Sequence, residues 1–285
     1  MSLLRVRDLA IRYGGGAVVD GVSFDLEQGE AVGLVGASGS GKSQTALALM
    51  GLLSTAAEVS GSVRMDDTEL VGADAGTLNR FRARRIAMVF QDPLAALNPY
   101  LRIGPQLARI LASHKLASGA AARERVVQML GRVGLPDPER QYRAWPHELS
   151  GGMRQRVMIA SALLCEPAVL LADEPTTALD VTVQAQVLDL LDELRRDTAV
   201  LLITHDLGIV AGRCDRVLAM DTGRLVEAAP TEAFFTRPGH DYSKTLLAAA
   251  RDEAAPPPSD SASGAVLEID AAADSYPVRG HAPLV

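Results

Sequence analysis

The amino-acid sequence predicts an α/β fold with a mainly parallel sheet, an N-terminal antiparallel β-subdomain and an inserted α-helical subdomain. Three observations predict it. Ala31-Val32-Gly33-Leu34-Val35, Ala168 to Ala172 and Ala199 to Ile203 are short apolar runs, the pattern of strands buried on both faces of a parallel sheet. The first runs into Gly36-Ala37-Ser38-Gly39-Ser40-Gly41-Lys42-Ser43 and then the helix-forming Thr45 to Met50, which is the strand, glycine-rich loop, helix order that a P-loop requires. From Pro93 to about residue 165 the character changes, and residues 104–117 and 120–133 carry helical periodicity.

In chain order, residues 3–13 read as a strand and Gly14-Gly15-Gly16 as a turn. Residues 17–27 form a second strand with Asp20-Gly21 inside it. Gln28-Gly29 turns the chain into the first buried run. Val59 to Met65 alternates and completes a small antiparallel sheet. Tyr13, an aromatic before a glycine turn in a chain with 4% aromatics, leaves two readings open at this point. It packs on the sheet, or it offers a stacking platform to an adenine ring.

The glycine-rich loop defines a P-loop NTPase core. Its glycines let successive backbone N–H groups turn inward on an anion, and the following helix adds its positive end. Lys42 would reach the β- and γ-phosphates of a nucleoside triphosphate, and the Ser43 hydroxyl would ligate Mg²⁺.

Arg84 to Phe90 reads as another buried strand, stopped at Gln91-Asp92-Pro93. Two helices follow, joined near Ser118-Gly119, and Pro136, Pro138 and Pro146 break the chain after them. Leu149-Ser150-Gly151-Gly152-Met153 opens a helix that runs to about Leu164. Ser150 is a good N-cap, and the two glycines leave the first-turn N–H groups open, so this start is either a second anion site or an ordinary capped end.

The next buried run closes on Asp173 and Glu174. Acids at the carboxyl end of a parallel strand lie where α/β sheets bind ligands. Asp173 suits Mg²⁺, and Glu174, pointing elsewhere, suits polarisation of an attacking water. Residues 181–196 form an amphipathic helix, and the strand to Thr204 ends at His205, within range of a γ-phosphate. His114, His147, His240 and His281 have no such placement and are taken as surface or packing residues. Arg216 to Met220 and Arg224 to Glu227 form a hairpin, residues 230–250 form one or two short helices, and Ala254 to Ser259 is an extended linker by composition.

Bulk properties narrow the class. The chain has 285 residues and a net charge of −7, which argues against binding nucleic acid by phosphate neutralisation. Its two cysteines, Cys165 and Cys214, show no metal-ligand spacing. Charges stand too early for a secretory signal, and no apolar run approaches the ~20 residues of a membrane span. The chain is expected to be soluble and to reach any membrane through partners.

Taken together, the P-loop, Gln91, Leu149-Ser150-Gly151-Gly152-Met153, Asp173-Glu174, Leu179-Asp180 and His205 resemble the nucleotide-binding subunits of ABC transporters over residues 3 to about 250. Phe90-Gln91-Asp92-Pro93, Pro175-Thr176-Thr177-Ala178-Leu179-Asp180 and Gly239-His240-Asp241-Tyr242 are similar to the dipeptide, oligopeptide and nickel importer ATPases within that family.

The resemblance implies an ATPase that powers import, with ATP and Mg²⁺ as its ligands. Residues 1–250 would be the nucleotide-binding domain, with a helical subdomain at about 92–165, and residues 251–285 a linker and tail. Each ATP would lie between the P-loop of one subunit and Ser150, Gly151, Gly152 and Met153 of another. Glu174 would be the general base, His205 the γ-phosphate sensor, and Gln91 a contact to Mg²⁺ and water beside Ser43 and Asp173. Tyr13 would stack on adenine, and Asp180 would act at the dimer seam. The implied partners are a paralogous second ATPase subunit, two membrane permease subunits and an extracytoplasmic solute-binding protein, with no nucleic acid. The place of work would be the cytoplasmic face of the inner membrane, peripherally. The alternative is a soluble ABC ATPase not coupled to transport.

In the tail, Leu267 to Tyr276 repeats the spacing of Leu4 to Tyr13. Residues 266–285 are therefore either the opening of a second ATPase module or a tail with a chance match.

Overall fold

The computed structural model describes residues 2–92, 96–176, 181–194 and 198–254. Strands β1 (Ser2–Tyr13) and β2 (Gly16–Glu27) pair antiparallel. The turn between them uses Gly14 and Gly15 at φ +53 and +86, a region glycine enters without steric cost. Strand β4 (Ala57–Met65) pairs with the other edge of β1, and the two-residue β5 (Thr68–Glu69) completes the order β2-β1-β4-β5. Leu4, Val6, Leu9 and Ile11 of β1 are fully buried, as the alternating pattern requires of a one-sided sheet.

The second sheet has the order β10-β9-β3-β8-β7-β6. It is built from β3 (Ala31–Val35), β6 (Ile86–Val89), β7 (Val169–Asp173), β8 (Ala199–Ile203), β9 (Arg216–Asp221) and β10 (Arg224–Pro230). All its pairings are parallel except the β9–β10 hairpin. Every residue of β3, β7 and β8 is buried, and successive residues serve opposite cores. Val32, Leu34, Leu171 and Leu201 pack toward the antiparallel sheet with Leu4 and Ile11. Ala31, Val35, Ala172 and Leu202 pack toward the helices on the other face.

Helix α1 (Lys42–Leu49) follows β3, and α2 (Ala75–Phe81) precedes β6. Between β6 and β7 lie α3 (Ile103–Ser113), α4 (Gly119–Arg132), α5 (Pro138–Arg143) and α6 (Gly151–Leu163). Ile103, Leu107 and Leu111 recur at helical spacing and are fully buried, each burial contributing ~1.5–3 kcal/mol before entropy. Helices α7 (Val181–Leu194), α8 (Leu207–Arg213), α9 (Thr231–Thr236) and α10 (Asp241–Ala254) complete the described elements.

Four boundaries differ from the expectation. Gly119 is the first residue of α4, at φ +57, rather than part of the joining loop. Pro138 starts a helix rather than only breaking one, because Asp137 caps it and a proline at the first position gives up no needed N–H. Phe90 falls outside β6 and is 37% exposed, since pairing with β7 stops at Val89 and Ala172. Helix α8 follows His205 directly, capped by Asp206, which accepts from Gly208 N and Ile209 N.

Candidate nucleotide site

The groups the sequence singles out gather at the carboxyl ends of β3, β6, β7 and β8. Val35 leads into the glycine-rich loop, Val89 into Gln91, Asp173 ends β7, and Ile203 leads into His205. Four distant stretches meet because parallel strands deliver all their carboxyl ends to one edge.

The loop is held tightly from below. A Cβ on Gly36 would stand 2.1 Å from the Met220 carbonyl oxygen, and one on Gly41, at φ +100, would stand 2.8 Å from Val18 O. Gly39 meets nothing within 4 Å and serves only its φ of +80. Lys42 is 7% exposed, and its Nζ donates to Gly36 O at 2.8 Å and Ala37 O at 2.9 Å. Burial pushes this ammonium below its ordinary pKa, while the charges of Glu174 and Asp173 oppose that shift. The lysine thus has carbonyl partners that an incoming phosphate can replace with a full negative charge.

Ser43 donates its hydroxyl to Asp173 Oδ1 at 3.1 Å. Burial raises the Asp173 carboxyl; Glu174 adds to this, and the Ser43 hydroxyl and Lys42 oppose it. A buried carboxylate beside a hydroxyl oxygen is a hard oxygen pair of the kind Mg²⁺ takes, with water filling the remaining positions. A divalent cation here would also compensate the desolvated charge. The donor chemistry therefore fits the ion.

Glu174 leaves the strand in the left-handed region, at φ +45, with its N–H on Ile203 O at 2.9 Å. Its side chain has partners distinct from those of Asp173. Gln91 Nε2 donates to Glu174 Oε2 at 3.1 Å, and His205 Nδ1 lies 3.0 Å from Glu174 Oε1. The amide of Gln91 thus contacts Glu174 rather than Ser43 or Asp173. Glu174 has 18% side-chain exposure and His205 68%, so the carboxylate is shielded and its histidine partner faces outward.

A cleft of about 280 Å³ opens over these groups, lined by Val18, Ser38, Gly39, Gly41, Lys42, Ser43, Gln44, Gln91 and Glu174. A larger one of about 460 Å³ lies at the opposite ends of the strands, lined by Arg85, Arg132, Glu166 and Thr198 among others. Size favours the second, but the convergent phosphate- and metal-binding chemistry stands at the first.

Tyr13 is half-buried and packs on the inter-sheet core. Its hydroxyl donates to Gln44 Oε1 at 2.8 Å, which ties the ring to α1. Val18 and Gln44 line the cleft without having been singled out from the sequence; Gln44 directly follows the loop motif, and Val18 carries no signal beyond its strand.

Ser150 caps α6, accepting from Met153 N at 3.3 Å. The two glycines after it differ. A Cβ on Gly152 would meet Val183 Cγ1 at 2.8 Å, so helix packing against α7 accounts for this glycine; at Gly151 it would meet nothing within 4 Å. Among the described residues no packing uses the bareness of Gly151, and Ser150, Gly151 and Gly152 are absent from the cleft lining. Asp180 lies outside the described residues.

A P-loop beside a buried aspartate and a half-buried serine hydroxyl, with a shielded second carboxylate, defines a nucleoside-triphosphate hydrolase. The model of the ABC transporter family matches residues 19–177, and this chain belongs to that family. It is 51% identical over 251 residues to the oligopeptide transport ATP-binding protein OppD of Salmonella typhimurium, covering 86% of this chain and 75% of that protein. It is 46% identical to the peptidoglycan transport ATP-binding protein YejF of Agrobacterium fabrum, covering 97% of this chain but 52% of that protein. Among solved structures, a dimer of the ATP-binding cassette MJ0796 in a post-hydrolysis state bound to ADP and Pi matches with a TM-score of 0.71 and 28% identity. It covers 80% of this chain and 98% of that one. The α/β fold with its antiparallel β-subdomain is that of the family, and the protein is an ATPase that takes ATP with Mg²⁺.

Proposed function

We propose that this protein powers peptide import: it hydrolyses ATP on the cytoplasmic face of the membrane and passes the work to two permease subunits. The observation that carries the ATPase reading is the Gln91–Glu174–His205 chain beside Ser43 and Asp173. The peptide cargo rests on the similarity to OppD across 86% of the chain. No helix among the described residues is long and apolar enough to cross a membrane, in keeping with separate permeases. A solute-binding protein outside the cell and a paralogous second ATPase complete the assembly. Purification from the native membrane tests this. Two apolar subunits should accompany the protein, and an active ATPase without them would favour the uncoupled alternative.

In this reading residues 1–250 form the nucleotide-binding domain. The loop Gly36, Ala37, Ser38, Gly39, Ser40, Gly41 and Lys42 receives the triphosphate, and Tyr13 stacks on the base. Ser43, Asp173 and Gln91 would hold Mg²⁺, which would supply charge neutralisation to the phosphates when bound. Glu174 takes a proton from the water that attacks the γ-phosphorus, and the bridging oxygen departs with ADP. His205 holds Glu174 in place, and its exposed ring is available to the γ-phosphate.

The bare Gly151 supports a site shared between two subunits. Its missing side chain makes room for a phosphate held by the partner's P-loop, on which Ser150 and the first N–H groups of α6 converge. Gly151→Asp has space within the monomer, so stability should stay within ~0.5 kcal/mol. Turnover at the partner's site should nevertheless fall about 10²-fold, because an anion replaces a donor surface. ATP affinity at this chain's own P-loop should not change. Normal turnover by the variant complex would contradict the shared site.

The tail is read as the opening of a second ATPase module. Similarity to YejF spans 97% of this chain and 52% of that relative, so the aligned region extends into residues 266–285. Residues 255–285 lie outside the described residues. A second P-loop sequence in the same reading frame downstream would support the tandem form, and its absence would overturn it.

A further inference from the structure

We infer that Tyr242, outside the residues matched by the family model, is a positioning residue for the nucleotide loop: its phenolic oxygen holds the Gly36–Ala37 peptide that orients Lys42. The inference rests on the P-loop being the nucleotide site.

The Ala37 N–H donates to Tyr242 Oη at 2.9 Å across 205 residues of chain. The carbonyl of the same peptide unit, Gly36 O, accepts from Lys42 Nζ at 2.8 Å. A trans peptide points its N–H and C=O to opposite sides of one rigid plane. Fixing the N–H on Tyr242 therefore aims the carbonyl at the lysine. Ala37 is exposed, and no other bond to its N–H is present among the described residues.

Tyr242 is well placed to act as a fixed post. Glu227 of β10 accepts from Gly239 N at 2.8 Å and His240 N at 3.0 Å, and His240 Nδ1 accepts from Tyr242 N at 3.2 Å. Behind it, Ser243 is fully buried and Leu247 is 6% exposed in the helix-side core. The same part of the chain grips the loop a second time, through Gly223 N on Ser40 O at 3.1 Å. The loop is thus braced at both ends by residues after β9. A loop braced before ligand arrives loses less conformational freedom on binding, which favours affinity.

Tyr242→Phe keeps the ring and removes the acceptor. Calorimetric titration of the purified complex with ATP in EDTA reads binding without turnover. The Kd should rise about 3- to 10-fold, the range for one neutral hydrogen bond. With Mg²⁺ present, KM should rise in step while kcat at saturating ATP stays within about two-fold. A purely structural role would lower thermal stability and kcat and leave Kd alone. An unchanged Kd, or a loss carried by kcat, overturns the inference. Lys42→Ala in the same titration separates the two claims. If it loses affinity while Tyr242→Phe does not, only the role of Tyr242 fails; if neither does, the nucleotide-site reading fails.

Discussion

Glu174→Gln is expected to lower ATP turnover by about 10²–10⁴-fold, the contribution of a positioned general base, while ATP binding survives. The substitution is nearly isosteric. Its amide can keep the contact with His205 Nδ1 and face Gln91, the two partners Glu174 holds now. It cannot accept a proton from water. Removing one negative charge beside Lys42 and Asp173 also lessens repulsion of the triphosphate, so ATP-bound complexes should accumulate. Single-turnover hydrolysis with gel filtration checks both halves. Turnover near the unsubstituted rate would refute the assignment of Glu174 as base.

Lys42→Ala should weaken ATP binding by about 10- to 100-fold, from the loss of a charge-assisted hydrogen bond to phosphate. The fold should tolerate it better than most buried lysine losses. The carbonyl partners are Gly36 O and Ala37 O, and Ala37 is exposed, so water can reach at least that carbonyl when the ammonium is gone. Titration with ATP alongside thermal melting distinguishes a binding defect from unfolding. Unchanged affinity in a folded variant would contradict the phosphate cradle.

Much of this was legible in the sequence because the site is made of strand ends. A five-residue apolar run closing on a polar group announces a buried strand and an active edge together, as Ala168 to Ala172 does with Asp173 and Glu174. The loop glycines were equally plain, and the structure adds their physical need, with Met220 O pressed against Gly36. Helix α2 escaped notice because it buries none of its residues and so leaves no apolar stripe. Helix α8 carries little sequence signal because it spans only Leu207–Arg213 and its cap, Asp206, directly follows a candidate catalytic histidine. Tyr242 escaped for a different reason. Its partner is a backbone N–H in the loop, 205 residues away, and a backbone group carries no sequence signature. The direction of Gln91, toward Glu174 rather than Ser43, was equally out of reach, since spacing places a side chain on a loop without aiming it.

The central claim is that ATP is bound between two subunits, with the P-loop of one facing the serine-capped helix of the other. The most direct measurement is the structure of the Glu174→Gln complex trapped with ATP and Mg²⁺. The γ-phosphate should lie within hydrogen-bonding distance of Lys42 on one side and of the opposing subunit's signature serine on the other, with Ser150 of this chain on the second nucleotide. A triphosphate enclosed by a single subunit, with residues 150–152 open to solvent, would contradict it.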